Sequence, residues 1–400
     1  MGDIFLNSIG LMTGTSADGA DLCLVKYRIN RKQKIISEKV TITGSFPIDS
    51  KLQKKIRAAQ AGKIPLKEYG ALTLEYSLWL EKNIESFIRK NKISKKNLIL
   101  GIHGQTLWHA PPTGKNKKPG FSIQMIDGSV ISQKTGVLTV SQFRQPDLVF
   151  GGQGAPLVPY IHYLIATSGT LKTKPPLVIH NLGGISNLTY VGPKKEIIAF
   201  DTGPANALID AAVRKITKGK KAYDHGGAIA KLGAYDLKEI KKIANHKYFL
   251  QKPPKSTGKE LFNDSFLKNF KTAPKDLVAQ VTAFTAYTIA KAYADFLKGK
   301  KIKALYMTGG GAKNPYLIKL IMKFLKEEFK KEYKLEVMPD HFGGEQYLES
   351  FAFARLAVEA LLGHSVSLKQ VTGAKKEGTG CVLYQAENYT KLIKDLGAIF

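Results

Sequence analysis

The sequence predicts an α/β protein made of two duplicated lobes with a cleft between them, and three observations carry that expectation. Apolar runs of strand length alternate with longer stretches of helical period. The order of these elements is used twice, once from residue 4 and again from residue 176: a hairpin around a glycine turn, a third strand, then helices and further strands. Glycine-rich turns also fall at the ends of apolar strands, where backbone N–H groups can converge on an anion.

In the first half a strand near Ile4–Met12 leads through the turn TGTSADG into a strand near Ala20–Ile29, and a third strand follows near Lys34–Phe46. Helical stretches at about Lys51–Ala61 and Leu66–Lys90 then lead to a strand at Leu98–Ile102. The second half opens with Pro176–Asn181, the turn LGGIS and a strand at Asn187–Val191, then a short strand at Glu196–Phe200 and a helix at Asn206–Ile216. After a long insert, a helix at about Asp276–Phe296 feeds the strand Lys303–Met307, the turn GGGAKNP and a helix from Pro315 to about Lys331. A strand near Lys334–Met338 and a helix near Glu345–Leu362 close the pattern. The lobes are expected at 1–138 and 139–381, with 382–400 a candidate to complete the first. The symmetry is one of element order, without a residue-level repeat.

Composition narrows the partners. The 400 residues carry 61 basic and 32 acidic side chains, a net charge of +29, with 44% hydrophobic and 23% charged residues. That balance is globular rather than disordered, and the length suits about two domains. The lysines are scattered in small groups along the whole chain and are often mixed with Glu, as in KFLKEEFKKEYKLE from Lys323. There is no zinc spacing, no RNP-type aromatic signature and no basic heptad, so the charge reads as a solvated surface, compatible with anionic small ligands, rather than a nucleic-acid interface. No run approaches the roughly 20 apolar residues of a membrane helix. The start MGDIFLNSIG lacks the basic region and apolar run of a signal peptide. Cys23 and Cys381 cannot build a disulfide framework and read as small buried hydrophobes. The expectation is a cytoplasmic, reduced protein with no membrane or nucleic-acid partner.

Candidate chemistry sits in the turns. Gly14, Thr15, Ser16, Ala17, Asp18 and Gly19 combine two glycines, two hydroxyls and a carboxylate, and either Asp18 or Asp21 could hold Mg²⁺ through water. Gly183 and Gly184 repeat the device in the second half, and Gly309, Gly310 and Gly311 lie between a strand and a helix. Neither a Walker A nor a Rossmann fingerprint is present. Three such turns together point to a nucleotide cleft, although each alone could be an ordinary turn. Asp201 ends the apolar run IIAF before Thr202-Gly203-Pro204, a place where α/β folds expose catalytic groups; capping of the next helix is the competing role. His103-Gly104-Gln105-Thr106 follows another apolar strand, where a turn-stabilising histidine is the alternative.

These residues resemble the anhydro-N-acetylmuramic acid kinases, of the sugar-kinase, actin and heat-shock ATPase superfamily. The resemblance rests on GLMTGTSADGAD (10–21), HGQTLWHAPP (103–112), FRQPDLVFGGQGAPLVP (143–159), NLGGISNLTYV (181–191), FDTGPANALID (200–210), KPPKSTGKELFN (252–263), TGGGAKNP (308–315) and ESFAFARLA (349–357), in the family's order over nearly the whole chain. It implies ribonuclease-H-like lobes in an actin-like ATPase fold. It also implies ATP and Mg²⁺ as cofactors, a homodimer, and a double reaction in which water opens the 1,6-anhydro ring while the γ-phosphoryl of ATP moves to the 6-oxygen. Asp201 matches the family's catalytic base. Positions 14–21, Ala20 and Asp21 included, would hold ATP phosphates with Asp18 on the metal. Positions 309–314, ending at Asn314, would approach the adenosine. Sugar contacts would be His103, Gln105, Asp127, Arg144, Asn206 and Glu349. A guanidinium at Arg144 suits the lactyl carboxylate of a muramic sugar, with an ion pair to Asp147 as the alternative. Ile126, Gln142, Ala205 and Tyr384 depart from the family pattern. The first two bear on the identity of the sugar, with levoglucosan as the rival anhydrosugar and a non-catalytic ATP-binding relative as the binding-class alternative.

Overall fold

The computed structural model describes residues 3–14, 16–30, 32, 34–112, 120–168, 171–258, 261–339 and 342–397; Thr15 of the expected phosphate turn lies outside them. The chain divides into two compact units, residues 1–161 with 339–400, and residues 162–338.

The first unit begins with β1 (Ile4–Thr13) and β2 (Gly19–Ile29), antiparallel from Ile4 opposite Ile29 to Thr13 opposite Ala20, and in the bend between them Ser16 and Asp18 are exposed while Ala17 is buried. β3 (Ile35–Pro47) pairs antiparallel with β2. The crossover needed to reach a parallel strand is made by α1 (Ser50–Gln60) and α2 (Leu66–Lys90). On α2 the residues Leu72, Tyr76, Leu80, Ile84, Phe87 and Ile88 recur at helical spacing and bury one face against the sheet core. β4 (Leu98–Ile102) lies parallel to β1 and is buried along its whole length. A two-stranded hairpin of β5 (Gln105–Ala110) and β6 (Phe121–Met125) follows, then α3 (Gly128–Thr135), β7 (Thr139–Ser141), α4 (Gln145–Val149) and α5 (Val158–Thr167).

The second unit repeats the plan. β8 (Leu177–Leu182), β9 (Ile185–Val191) and β10 (Ile197–Pro204) form an antiparallel meander followed by α6 (Asn206–Ile216). The insert contains α7 (Leu237–Ile243) and α8 (Lys247–Leu250) and is fixed to α9 (Leu277–Phe296) by rings. Phe249, Phe266 and Phe270 each pack on Phe284, with centroids 5.2–5.9 Å away. β11 (Leu305–Thr308) lies parallel to β8, α10 (Pro315–Glu327) follows, and β12 (Leu335–Val337) lies parallel to β11. The chain then returns to the first unit with α11 (Leu348–Leu361), α12 (Lys369–Thr372), β13 (Val382–Tyr384) and α13 (Tyr389–Gly397).

The sheets run β3-β2-β1-β4-β7-β13 and β10-β9-β8-β11-β12. Both place the third strand, then the second, first, fourth and fifth, with the first three antiparallel and the fourth and fifth parallel to the first; the sixth strand of the first sheet, β13, is antiparallel to β7. This is the duplicated ribonuclease-H-like plan expected from the sequence. The unit boundaries fall elsewhere than expected. The first segment runs to 161 rather than 138, because β7 pairs with β4 and Leu138 accepts from Leu100. The return comes at 339 rather than 382, because α11 packs on β1, β2 and β4. β13 pairs with β7 at the sheet edge.

The seat of α11 explains two glycines. Gly10 and Gly101 are partners across β1 and β4. A Cβ at Gly10 would lie 1.8 Å from the Ser350 carbonyl oxygen, and one at Gly101 would lie 2.1 Å from that of Phe353. The helix backbone therefore rests directly on the sheet. Cys23 is buried in β2, Cys381 is half-buried, and neither is in a disulfide. Among the described residues no helix is long and apolar enough to cross a membrane.

Candidate active site

In each unit the expected residues gather where strands of one direction end, the edge at which open α/β sheets bind ligands. In the first unit these ends are the bend after β1 and His103 after β4. A cavity of about 460 Å³ is lined by Gly14, Ser16, Asp18, Gly19, Ala20, Asp21, Ser45, Gln346 and Glu349. The Ser16 hydroxyl donates to Asp18 Oδ1 at 2.9 Å, and Ala17 occupies left-handed backbone at φ 52°. Asp21 is held by the fold: its Oδ1 accepts from the Ser45 hydroxyl and from Gln346 Nε2. Asp18 is exposed in the bend, so of the two carboxylates it is the better suited to a hydrated Mg²⁺. No group of three or more His, Cys, Asp or Glu side chains placed to hold a metal occurs among the described residues.

Gln105 is fully buried and donates to the Gly14 carbonyl oxygen at 3.0 Å, so it braces the bend. His103 is committed within the protein as well. Its Nδ1 lies 2.8 Å from the Gly104 carbonyl oxygen, and its Nε2 accepts from Arg144 Nε at 3.0 Å. Those two bonds assign the neutral tautomer with the proton on Nδ1. Burial above all, and then the Arg144 charge, hold its pKa well below the usual histidine value. Arg144 also donates Nη1 to the Gly154 carbonyl oxygen. Burial pushes its pKa down to about 10, against the pull of Glu349. Asp147 makes no ion pair with Arg144; it accepts instead from the Gly154 N–H and the Thr372 hydroxyl. Glu349 reaches the surface through the cavity, yet dense surroundings raise its carboxyl, Arg144 opposes the rise and Asp21 adds to it. Asp127 stands apart as the N-cap of α3, accepting from Ser129 and Val130. Of the departures, Ile126 packs in the unit's core beside Gly104, and Gln142 takes left-handed backbone at φ 62°.

In the second unit Asp201 lies near the end of β10, where the register shifts between Asp201 and Gly203. Such a bulge re-aims the side chain ahead of it. Gly203 has φ 141°, and a Cβ there would lie 2.7 Å from the Phe249 ring. The segment 252–258 straps over this strand end. Asp201 N donates to the Lys255 carbonyl oxygen at 3.1 Å, Thr257 N donates to Asp201 Oδ2 at 2.9 Å, and the Tyr248 hydroxyl donates to the Asp201 carbonyl oxygen at 2.6 Å. Behind it, a buried chain joins Thr202, Ser186, His180 and Tyr293 through contacts of 2.6–2.9 Å. Burial lowers the His180 pKa to about 3, so this chain contains a neutral imidazole.

The glycine turns of the second unit meet at Asn206. Its N–H donates to the Gly183 carbonyl oxygen and its amide to that of Leu182. Gly309, at φ 84°, would place a Cβ 2.4 Å from Asn181 Oδ1, so this turn closes tightly on the end of β8 just before Gly183. A cavity of about 410 Å³ opens here, lined by Gly183, Gly184, Asn206, Ala207, Asp210, Arg214, Phe262, Asn263 and Asp264. Asn206, expected among the sugar contacts, is thus brought together with the turns expected to face the nucleotide. Asn314 caps α10 by accepting from Leu317 N.

Sequence reasoning quoted the strap motif without giving Lys255 or Thr257 a role. It also passed over Asp210 and Arg214, whose i, i+4, i+8 spacing from Asn206 is a polar stripe on an otherwise apolar helix.

A family model described as anhydro-N-acetylmuramic acid kinase matches residues 6–386. Curated relatives described by the same words include one from Caldanaerobacter subterraneus subsp. tengcongensis, 34% identical over 391 residues and covering 92% of this chain and 94% of its own. One from Pasteurella multocida is 33% identical, covering 95% and 97%. One from Picosynechococcus sp. is 36% identical, covering 92% and 96%. Among solved structures, a ROK family glucokinase from Streptomyces griseus in complex with glucose and AMPPNP aligns at 10% identity with a TM-score of 0.35, over 87% of this chain and 99% of its own. The strand order, not that alignment, carries the fold.

Proposed function

The chain belongs to the anhydro-N-acetylmuramic acid kinase family, and from that premise we propose that it converts 1,6-anhydro-N-acetylmuramic acid, ATP and water to N-acetylmuramate 6-phosphate and ADP, in the recycling of murein fragments. The observation that carries the reading is the Asp201 carboxylate, held at a strand end by the Thr257 N–H on one oxygen. A carboxylate fixed in this way can act as a general base, a role worth roughly 10²–10⁴ in rate.

The electron flow closes on itself. Asp201 takes a proton from water, and the water oxygen bonds to the anomeric carbon. The bond from that carbon to the bridging 6-oxygen breaks, the 6-oxygen bonds to the γ-phosphorus, and the bond to the β,γ-bridging oxygen breaks to release ADP. The charge developing on the departing 6-oxygen passes to the phosphoryl group, so a second carboxyl acting as proton donor, as in glycosidases, is not required. The N–H groups of the bend 14–19 and of Gly183 and Gly184 serve the phosphates, and Gly309, Gly310 and Gly311 the adenosine side. Asp18 would hold Mg²⁺ through water, and that ion would neutralise phosphate charge. Arg144 serves the lactyl carboxylate, with Glu349 beside it. His103 and Gln105 act behind these groups, on Arg144 and on the bend. The Arg144 guanidinium supports the acidic sugar over levoglucosan, and the departures at Ile126 and Gln142 fall on a core position and a turn position.

Incubation with ATP–Mg²⁺ and either anhydrosugar, followed by ADP release, tests the reading. Release with the muramic sugar is expected, and release with neither sugar refutes it. Asp201→Asn is expected to lower kcat by roughly 10³-fold while ATP still binds; near-normal turnover would remove Asp201 from the base role.

A further inference from the structure

We propose that Lys255 is a positioning residue for Asp201, its side chain latching the strap 252–258 so that the Thr257 N–H and the Lys255 carbonyl hold that aspartate in its working orientation. The inference rests on Asp201 being the base.

The latch is built from three sides. Lys255 Nζ lies 4.5 Å from the centre of the Phe296 ring, 4.8 Å from that of Tyr248 and 5.7 Å from that of Phe200. It donates to the carbonyl oxygens of Tyr248 at 3.2 Å and Phe249 at 3.4 Å. A cation enclosed by aromatic faces and carbonyl oxygens is bound as a cation, since both kinds of partner present negative charge. The enclosing residues belong to the site's own frame. Phe200 precedes Asp201 in β10, Tyr248 donates its hydroxyl to the Asp201 carbonyl oxygen, and Phe249 fills the space beside Gly203. The side chain thus ties the strap to α8, β10 and α9, while the main chain of the same residue accepts the Asp201 N–H.

Three charged groups act on the ammonium: Asp295 and Lys291 from α9 and Asp201 from β10. Burial brings its pKa down to about 8; Asp295 opposes this most, Lys291 adds to it, and Asp201 opposes it. The latch is therefore closed at neutral pH and loses its charge as pH rises through about 8.

The test follows kcat against pH for the native enzyme, Lys255→Met and Lys255→Arg, with Asp201→Asn alongside. ATP titration and thermal melting establish that each variant is folded. The native kcat is expected to fall as pH rises through about 8. Lys255→Met fills the cage without charge; its kcat at pH 7 should fall about tenfold, with KM for sugar and ATP within about twofold and no inflection near that pH. Lys255→Arg should recover most of the rate and carry its charge through the whole measured range. A native-like kcat in Lys255→Met, an alkaline limb unchanged in both variants, or an arginine variant no better than methionine would overturn the latch. Native-like turnover of Asp201→Asn would instead overturn the base assignment, so the two failures are distinct. An aspartate held only by its backbone neighbours would leave the pH profile unmoved in every Lys255 variant, and that result also refutes the proposal.

Discussion

Replacing His103 with Phe should weaken sugar binding and spare ATP. The phenylalanine ring can keep the stack on Phe353, now at a centroid distance of 4.7 Å, while removing the nitrogen that accepts from Arg144. Arg144 would keep its bond to Gly154 but lose the one that fixes Nε, and with it the aim of the guanidinium plane. A hydrogen bond to a charged group contributes about 1.5–3 kcal/mol, so we take about 2 kcal/mol, or roughly 30-fold in affinity. Steady-state ADP release with each substrate varied in turn reads this as KM for the sugar up roughly 30-fold, with KM for ATP unchanged and kcat within about threefold. A parallel rise in both KM values would mean that His103 supports the fold in general. An unchanged sugar KM would mean that Arg144 does not hold the sugar carboxylate.

Other expectations follow from the same contacts. Gln105→Leu frees the Gly14 carbonyl from its brace and should raise KM for ATP about three- to tenfold, the worth of about one neutral hydrogen bond; an unchanged value would release Gln105 from the bend. Gly10→Ala drives a methyl into the backbone of α11, so denaturant unfolding should show a loss of about 3 kcal/mol, at the upper end for overpacking; a loss below about 1 kcal/mol would contradict the close seating. Glu38→Leu leaves buried Arg355 with Glu359 alone and should cost about 3 kcal/mol in the same assay. His364 has its pKa raised, chiefly by its hydrogen bond to Glu359. Its contribution to stability is therefore present in full below the ordinary histidine value of about 6.5 and is lost as pH rises through the raised one. His103 has the opposite sign: its contribution is present above about 6.5 and is lost as pH falls through its depressed value. Melting curves of His364→Gln and His103→Phe across pH 5–9 should flatten on opposite sides of neutrality, and identical native and variant slopes would refute both.

The sequence revealed most where one period ran uninterrupted. β1, β2, β3, α2, β4 and α9 lie within a few residues of their expected bounds, because each is a long apolar pattern facing one core. The β5–β6 hairpin, α3 and β7 gave no such signal: they are short, mixed in polarity and fixed by partners far along the chain, as Asn388 fixes Leu138. The expected helix beyond Pro315 stops at Glu327, short of Lys331: Lys330 turns into left-handed backbone at φ 54°, and Phe329 and Tyr333 reach the core rings Tyr287 and Tyr293 from outside the helix. At the site, residue types in strand-end turns were legible, but their division of labour was not. Nothing local says that His103 addresses Arg144, that Asp127 caps its own helix, or that Lys255 closes over Asp201. Those facts depend on tertiary neighbours, and the strap lies 50 residues and more beyond the aspartate it holds.

The glycine pair under α11 also sets an order of assembly on the ribosome. β1 and β4 are complete by Ile102, but the helix that covers Gly10 and Gly101 emerges only after all of residues 162–338. The second unit is continuous and can fold as soon as it is released, whereas the first must wait with one face of its sheet bare. That bare face presents Cys23, Val25 and Tyr27 beside the glycines and leaves Glu38 without Arg355, and the interval is set by translation at about 5–20 residues per second. Pauses placed near residue 340, before α11 is made, should therefore be hazardous to this enzyme. A circular permutant that begins with residues 339–400 should shorten the exposure by tens of seconds at the slower of those rates.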